Sequence, residues 1–140
     1  MKINAILLTS LCALACVSAP AFAGDKQTWP VRVNISADGK TVEGTGSIGD
    51  ARNSLDSNQS IGCGLYASTL VAGVKGYCNA RSAGGQVASC NVTSPQLIEV
   101  IKAISSDSLI SFQHPVPTSG QPTCTTITIS TSSLYQPKKP

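Results

Sequence analysis

The chain has 140 residues, a formal charge of +3, 12% charged residues and 4% aromatics. Its Lys and Arg residues stand singly except for Lys138-Lys139, so it offers no basic stripe to displace counterions from a nucleic acid. Beyond the N-terminal stretch, no run approaches the roughly 20 apolar residues of a membrane span, and the remainder has the size of one domain.

Lys2 precedes an apolar run from Ile3 to Val17, interrupted only by Asn4, Thr9 and Ser10, and Ala21-Phe22-Ala23 follows. This is the pattern of a bacterial secretory signal peptide, residues 1–23, with cleavage after Ala23. The competing reading is a lipobox, Ala13-Leu14-Ala15-Cys16, which would acylate Cys16 and anchor a structural envelope protein. In both readings Cys12 and Cys16 are not structural thiols. The four remaining cysteines, Cys63, Cys78, Cys90 and Cys124, are expected to form two disulfides in the periplasm or outside the cell. Zinc sites favour closely spaced C-x₂₋₄-C pairs. These gaps are long and the single His is remote, so no metal or cofactor is expected.

Trp29 to Ile35 alternates, with Val31, Val33 and Ile35 on one side, and reads as a half-buried strand. Asp38-Gly39 marks a hairpin turn, because Gly accepts positive φ without penalty. The return strand runs from Thr41 to Ile48, and Gly44 and Gly46 within it predict a bulge or a close backbone approach. Gly44 to Gly49 spells G-x-G-x-x-G. A dinucleotide site also needs a buried preceding strand, a helix opening at the third Gly and an acidic residue further on. A hairpin precedes these glycines and polar sequence follows, so they are expected to be structural.

Residues 49–60 read as a polar loop, 59–66 as a strand carrying Cys63, and 67–76 as an irregular connection. Tyr77 to Ser82 and Gln86 to Val92 form a central hairpin across Gly84-Gly85. A helix is expected over about 94–104, with Ser94 as N-cap, Pro95 at the first helical position and an apolar stripe from Leu97 to Ile104. Leu109 to Gln113 is a strand with Ile110 and Phe112 on one face, and a proline-punctuated loop leads to a last strand, Thr123 to Ser130. The residues 136–140 read as a flexible tail on a domain spanning 24–135.

The expected fold is therefore α+β: a small antiparallel β-sheet built from hairpins, one helix packed on one face, and two disulfides. Four cysteines allow three pairings. Cys63–Cys78 with Cys90–Cys124 is favoured, because Cys78 and Cys90 on paired neighbouring strands would rarely meet disulfide geometry.

Ala51-Arg52-Asn53-Ser54, the run Ser57 to Cys63, Cys78-Asn79-Ala80-Arg81, Gly84-Gly85 and Ser89-Cys90 together resemble a family of small exported proteobacterial proteins. The likeness continues through Ser105 to Ser108, Phe112, Cys124 to Ile127 and Tyr135 to Lys138. It covers most of 44–140 and leaves the Trp29–Lys40 strand and turn outside. That family has no established activity, so the resemblance implies a single fold unit and an exported location and nothing catalytic. Ser60 and Ser111 stand where the resemblance would place aromatics, so no aromatic ligand-stacking face carries over.

Catalytic chemistry finds little support. His114, the one imidazole, precedes Pro115 and reads as an exposed loop residue, and no G-x-S-x-G elbow occurs. Asp50, Asp56 and Asp107 read as turn or cap residues and Glu99 as a solvated helix residue paired weakly with Lys102. A small secreted hydrolase using His114 or Asp50 and Asp56 is the enzymatic alternative. Arg52, Asn53, Ser54, Asp56, Asn58 and Gln59 cluster before Cys63. They form either a self-bonded polar loop, with Arg52 paired to Asp50 or Asp56, or a recognition loop braced by a disulfide. Asn34, Asn58 and Asn91 head N-x-[ST] sequons, meaningful only in a eukaryotic secretory route. The expectation is a monomeric, exported, non-enzymatic protein that binds a protein or glycan partner, with no nucleic-acid role.

Overall fold

The computed structural model describes residues 26–137. The expected signal peptide and the Cys16 lipobox lie outside these residues. Asp38 and Gly39 complete the first turn, which Ser36 opens. Gly39 adopts φ +69°, its N–H donates to the Ser36 carbonyl, and the Ser36 hydroxyl accepts from the Thr41 N–H at 2.9 Å. The turn joins β1 (Arg32–Ile35) to β2 (Thr41–Ser47) in antiparallel register, with Val33 opposite Gly44.

β2 in turn pairs without interruption with β6 (Leu109–Pro115), and β6 with β7 (Thr126–Ser130), giving a four-stranded sheet in the order β1-β2-β6-β7. The glycines of β2 mark close approach and not a bulge. A Cβ on Gly46 would lie 2.9 Å from the Val31 backbone, and just beyond the strand one on Gly49 would run into the Gln136 carbonyl.

The second sheet is β3 (Ser60–Ser68), β4 (Val71–Arg81) and β5 (Val87–Val92), paired antiparallel in that order. Residues 67–76 are not an irregular connection. They complete a long hairpin whose register shifts between Ala67 and Ser68, with Gly73 at φ +72° near its tip. Backbone pairing with β3 holds this segment, although Leu70, Val71 and Val74 stand at a spacing that would also fit one helical turn.

The fold is α+β, but it holds two antiparallel sheets and two helices instead of one sheet with one helix on one face. Alternate residues of each strand point between the sheets. Val42, Ile110, Phe112 and Ile127 from one sheet meet Ile61, Ala80, Ala88 and Val92 from the other in one buried cluster. The first helix, α1 (Ile48–Asn53), replaces part of the expected polar loop. At six residues it is too short for a periodic stripe. The signal that could have revealed it is Ser47-x-x-Asp50, since the buried Ser47 hydroxyl accepts from the Asp50 N–H at 3.2 Å as an N-cap.

The second helix, α2 (Pro95–Ile101), has Ser94 as its N-cap but stops short of the expected 104. Ala103 and Ile104 donate to carbonyls three residues back, a tighter winding that ends the α-helix. α2 touches β7 of one sheet and β3 and β4 of the other, so it closes the seam between the sheets. Ile98 and Ile101 are its buried contacts.

Disulfides join Cys63 to Cys78 and Cys90 to Cys124. Opposition on neighbouring strands does not prevent a disulfide here. Cys63 and Cys78 are themselves directly opposed on neighbouring strands, with Cα atoms 4.0 Å apart, as Cys78 and Cys90 are opposed in the next pair. The second bridge fastens the segment before β7 to β5, where Asn91 donates to the Pro122 carbonyl and accepts from the Cys124 N–H. The expected last strand from Thr123 is accordingly divided. Thr123 makes an isolated parallel bridge with Asn91, and β7 begins only at Thr126.

The first and last of the described residues meet. Gln27 bridges Tyr135 in parallel, and the Pro137 carbonyl accepts from the Asn53 side chain at 3.0 Å. Gln136 and Pro137, expected to begin a flexible tail, therefore lie against α1, while 138–140 are outside the described residues.

Candidate functional site

The polar loop after α1 is organised by one carboxylate. Asp56 Oδ1 accepts from the backbone N–H groups of Asn58 at 2.8 Å and Gln59 at 2.7 Å, while Oδ2 accepts from the Gln59 side chain at 2.6 Å and from the Ser54 hydroxyl. These donors, the Ser54 hydroxyl first and then the Gln59 side chain, hold the carboxyl well below the usual carboxylate range. Gln59 also accepts from the Val31 N–H at 2.7 Å, and Asn58 donates to the Ala83 carbonyl at 3.2 Å. The loop thus ties β1, the Gly84-Gly85 turn and the C-terminal residues together.

Arg52 is the exception among the six expected recognition residues. It is not paired with Asp50 or Asp56. Asp50 accepts from the Trp29 N–H at 2.6 Å, and Asp56 is saturated as described. Arg52 instead lines an open groove of about 580 Å³ with Ile48, Ile61, Cys63 and Ile104. Asn53, Ser54, Asp56, Asn58 and Gln59 act mainly as a clasp.

His114 is not an exposed loop residue. It lies in β6 on the same inward parity as Ile110 and Phe112 and is only 3% exposed. Its Nδ1 lies 2.8 Å from the Pro115 carbonyl, which can only accept, so Nδ1 carries the hydrogen. Nε2 is buried with no hydrogen-bond partner among the described residues. The sequence concealed this because Pro115 suggested a loop, whereas it is the final strand residue opposite Thr41. Among the described residues no group of three or more His, Cys, Asp or Glu side chains is placed to hold a metal ion, and no helix is long and apolar enough to cross a membrane.

Two exposed features of the second sheet were missed. The first is the β3–β4 arm. β5 pairs with β4 only from Gly76 onward, so the hairpin extends beyond it, carrying exposed Leu65, Leu70, Val71 and Val74. The second is the outward face. Gly76, Cys78 and Ala80 of β4 are buried, which turns Lys75, Tyr77, Asn79 and Arg81 outward in one row. Opposite them stand Tyr66 on β3 and Ser89 and Asn91 on β5. A period-two reading of residues 75–81 contained this face.

Tyr77 has a fixed seat. A Cβ on the opposing Gly64 would lie 2.8 Å from three atoms of the Tyr77 ring and hydroxyl, so the phenol lies across the glycine while 47% of the residue stays exposed. Beside it a shallow depression of about 290 Å³ is lined by Asn79, Ser89, Asn91 and Gln121. Gln121 belongs to the segment fastened by the Cys90–Cys124 bridge, and its side chain meets the Ser89 hydroxyl at 3.3 Å.

In comparison with known proteins, no family model matches the chain, no curated protein is similar to it, and no solved structure matches its fold.

Proposed function

We propose that the protein is a small exported, non-enzymatic binding module working in the periplasm or outside the cell, in keeping with its resemblance to small exported proteobacterial proteins. The observation carrying this reading is the contrast between polar groups engaged within the fold and apolar ones left exposed. Asp50, Asp56 and His114, which the hydrolase alternative would need, serve as a backbone acceptor, a loop organiser and a core residue. The exposed apolar side chains concentrate on the β3–β4 arm, where Leu70 at the tip is 93% exposed. A projecting apolar segment on a small domain is the usual mark of a contact surface. Two disulfides support an extracytoplasmic location.

The test is affinity capture from envelope and culture-supernatant fractions, using the wild type beside a Leu70→Lys, Val74→Lys variant. The reading expects a partner retained by the wild type and lost by the variant at unchanged thermal stability. Absence of any partner above background, or equal capture by the variant, counts against the arm as the contact surface. Intact mass of the mature chain separates a start at Gly24 from acylated Cys16.

A further inference from the structure

We infer that the outward face of β3–β4–β5 is a binding site for an acidic oligosaccharide, seated on Tyr77 and flanked by Lys75 and Arg81. The inference rests on the binding-module reading and names a ligand class for it.

The first support is chemical. A pyranose ring offers an apolar patch of C–H groups and a rim of hydroxyls. It needs a flat apolar surface beside side chains that both donate and accept. Tyr77 supplies the surface, already held in place across Gly64. Asn79 and Asn91 supply carboxamides on either side, each with two donors and an acceptor, and neither side chain is bonded among the described residues. Strand backbones and the Cys90–Cys124 bridge hold these groups, so little ordering remains to oppose binding.

The second support is charge. Between Ser57 and Ile98, the stretch holding all three strands, there is no Asp or Glu, and Glu99, which lines a separate depression with Lys75, is paired with Lys102. Lys75 and Arg81 both lie on the outward row. Six residue steps of strand lead from one to the other, roughly 20 Å at about 3.3 Å per residue. That distance suits several sugar units carrying carboxylates. Protein interfaces place a desolvated apolar centre at the contact, whereas this depression sets Tyr77 among amides and hydroxyls, above the buried Cys78 and Cys90. The apolar residues Leu65 and Val74 belong to the other face of the arm, in inward parity with Cys63 and Cys78.

The test is an NMR titration of the oxidised protein with hexagalacturonate, with cellohexaose as the neutral counterpart and oligo-dT as a nucleic-acid control. The inference expects shifts centred on Tyr77, Asn79 and Asn91 that saturate with hexagalacturonate. Tyr77→Ala should weaken binding at least tenfold while Tyr77→Phe keeps it. Lys75→Gln with Arg81→Gln should abolish the preference for the acidic oligomer. Each variant is checked by its melting curve and disulfide content. No shifts at millimolar hexagalacturonate, shifts centred on the Arg52 groove, or tighter binding of oligo-dT would each overturn the inference. If capture by the β3–β4 arm persists in those cases, the ligand class alone has failed and the binding-module reading stands.

Discussion

Gly44 of β2 and Ala80 of β4 meet where the two sheets touch: a Cβ built on Gly44 would fall 2.8 Å from the Ala80 Cβ and 2.7 Å from the Phe112 ring. The absent side chain sets the separation of the layers there, and Phe112 fills the space beside it without exposure to solvent. Gly44→Ala should therefore destabilise the fold by about 1–3 kcal/mol through overpacking. Adding Ala80→Gly should recover part of that loss, because the two positions are coupled by contact. Denaturant unfolding of the two single variants and the double variant measures the coupling, and strict additivity would contradict it.

Asp56 makes stability depend on pH. Its carboxyl is lowered in the folded protein by the Ser54 hydroxyl first and then by Gln59, against about 3.9 in an unfolded chain. A lowered folded value means the stabilisation is complete above about pH 4 and is lost as pH falls toward the folded value. Thermal melts from pH 7 to pH 2 should show Asp56→Asn less stable at neutrality and with a shallower acid limb. An acid limb as steep as the wild type's would show that other carboxylates govern it.

The two disulfides should differ in both worth and lability. Cys90–Cys124 spans 34 residues and Cys63–Cys78 spans 15, corresponding to about 4 and about 3 kcal/mol of loop-closure stabilisation. Paired Cys→Ser substitutions should reproduce that order. Cys78, Cys90 and Cys124 are buried, while Cys63 is partly exposed. A small thiol reductant under native conditions should therefore open Cys63–Cys78 first, as followed by timed alkylation and mass mapping.

His114→Leu should change stability by no more than about 1 kcal/mol. It removes a buried nitrogen without a partner and sacrifices one bond to the Pro115 carbonyl. His114→Ala should cost about 2 kcal/mol or more through the cavity left in the core. A large loss in the leucine variant at unchanged volume would mean that the imidazole has a partner after all. Chemical denaturation of both variants decides it.

The strands were legible wherever pattern and turn chemistry agreed: Asp38-Gly39 before Thr41, Ile110 and Phe112 on one face, and Ser94-Pro95 opening α2. What escaped depends on contacts distant in sequence. Nothing local says that Gly44 faces Ala80, or that residues 60–92 form a sheet of their own. The polar cluster before Cys63 was recognised as a unit, with both alternatives open. The structure turns five of its members to fastening the fold and leaves Arg52 to a groove. The outward row Lys75, Tyr77, Asn79 and Arg81 was hidden because the buried residues between them, Gly76, Cys78 and Ala80, are too small to give a strong apolar period. His114 was misplaced because proline suggests a loop, although a final strand residue can be proline where no ladder donor is needed.

The bridge between Gln27 and Tyr135 also fixes orientation. Gln27 leads to Trp29, held by Asp50, and to Val31, held by Gln59, so the chain enters the fold beside α1 at the start of β3. The arm tip lies at the other end of β3, nine residues along, which is roughly 30 Å at about 3.3 Å per residue. Anything that holds the protein by its N-terminal side, whether a lipid or a fused domain, therefore grips it at the base, and the hairpin becomes a boom pointing away from the point of attachment.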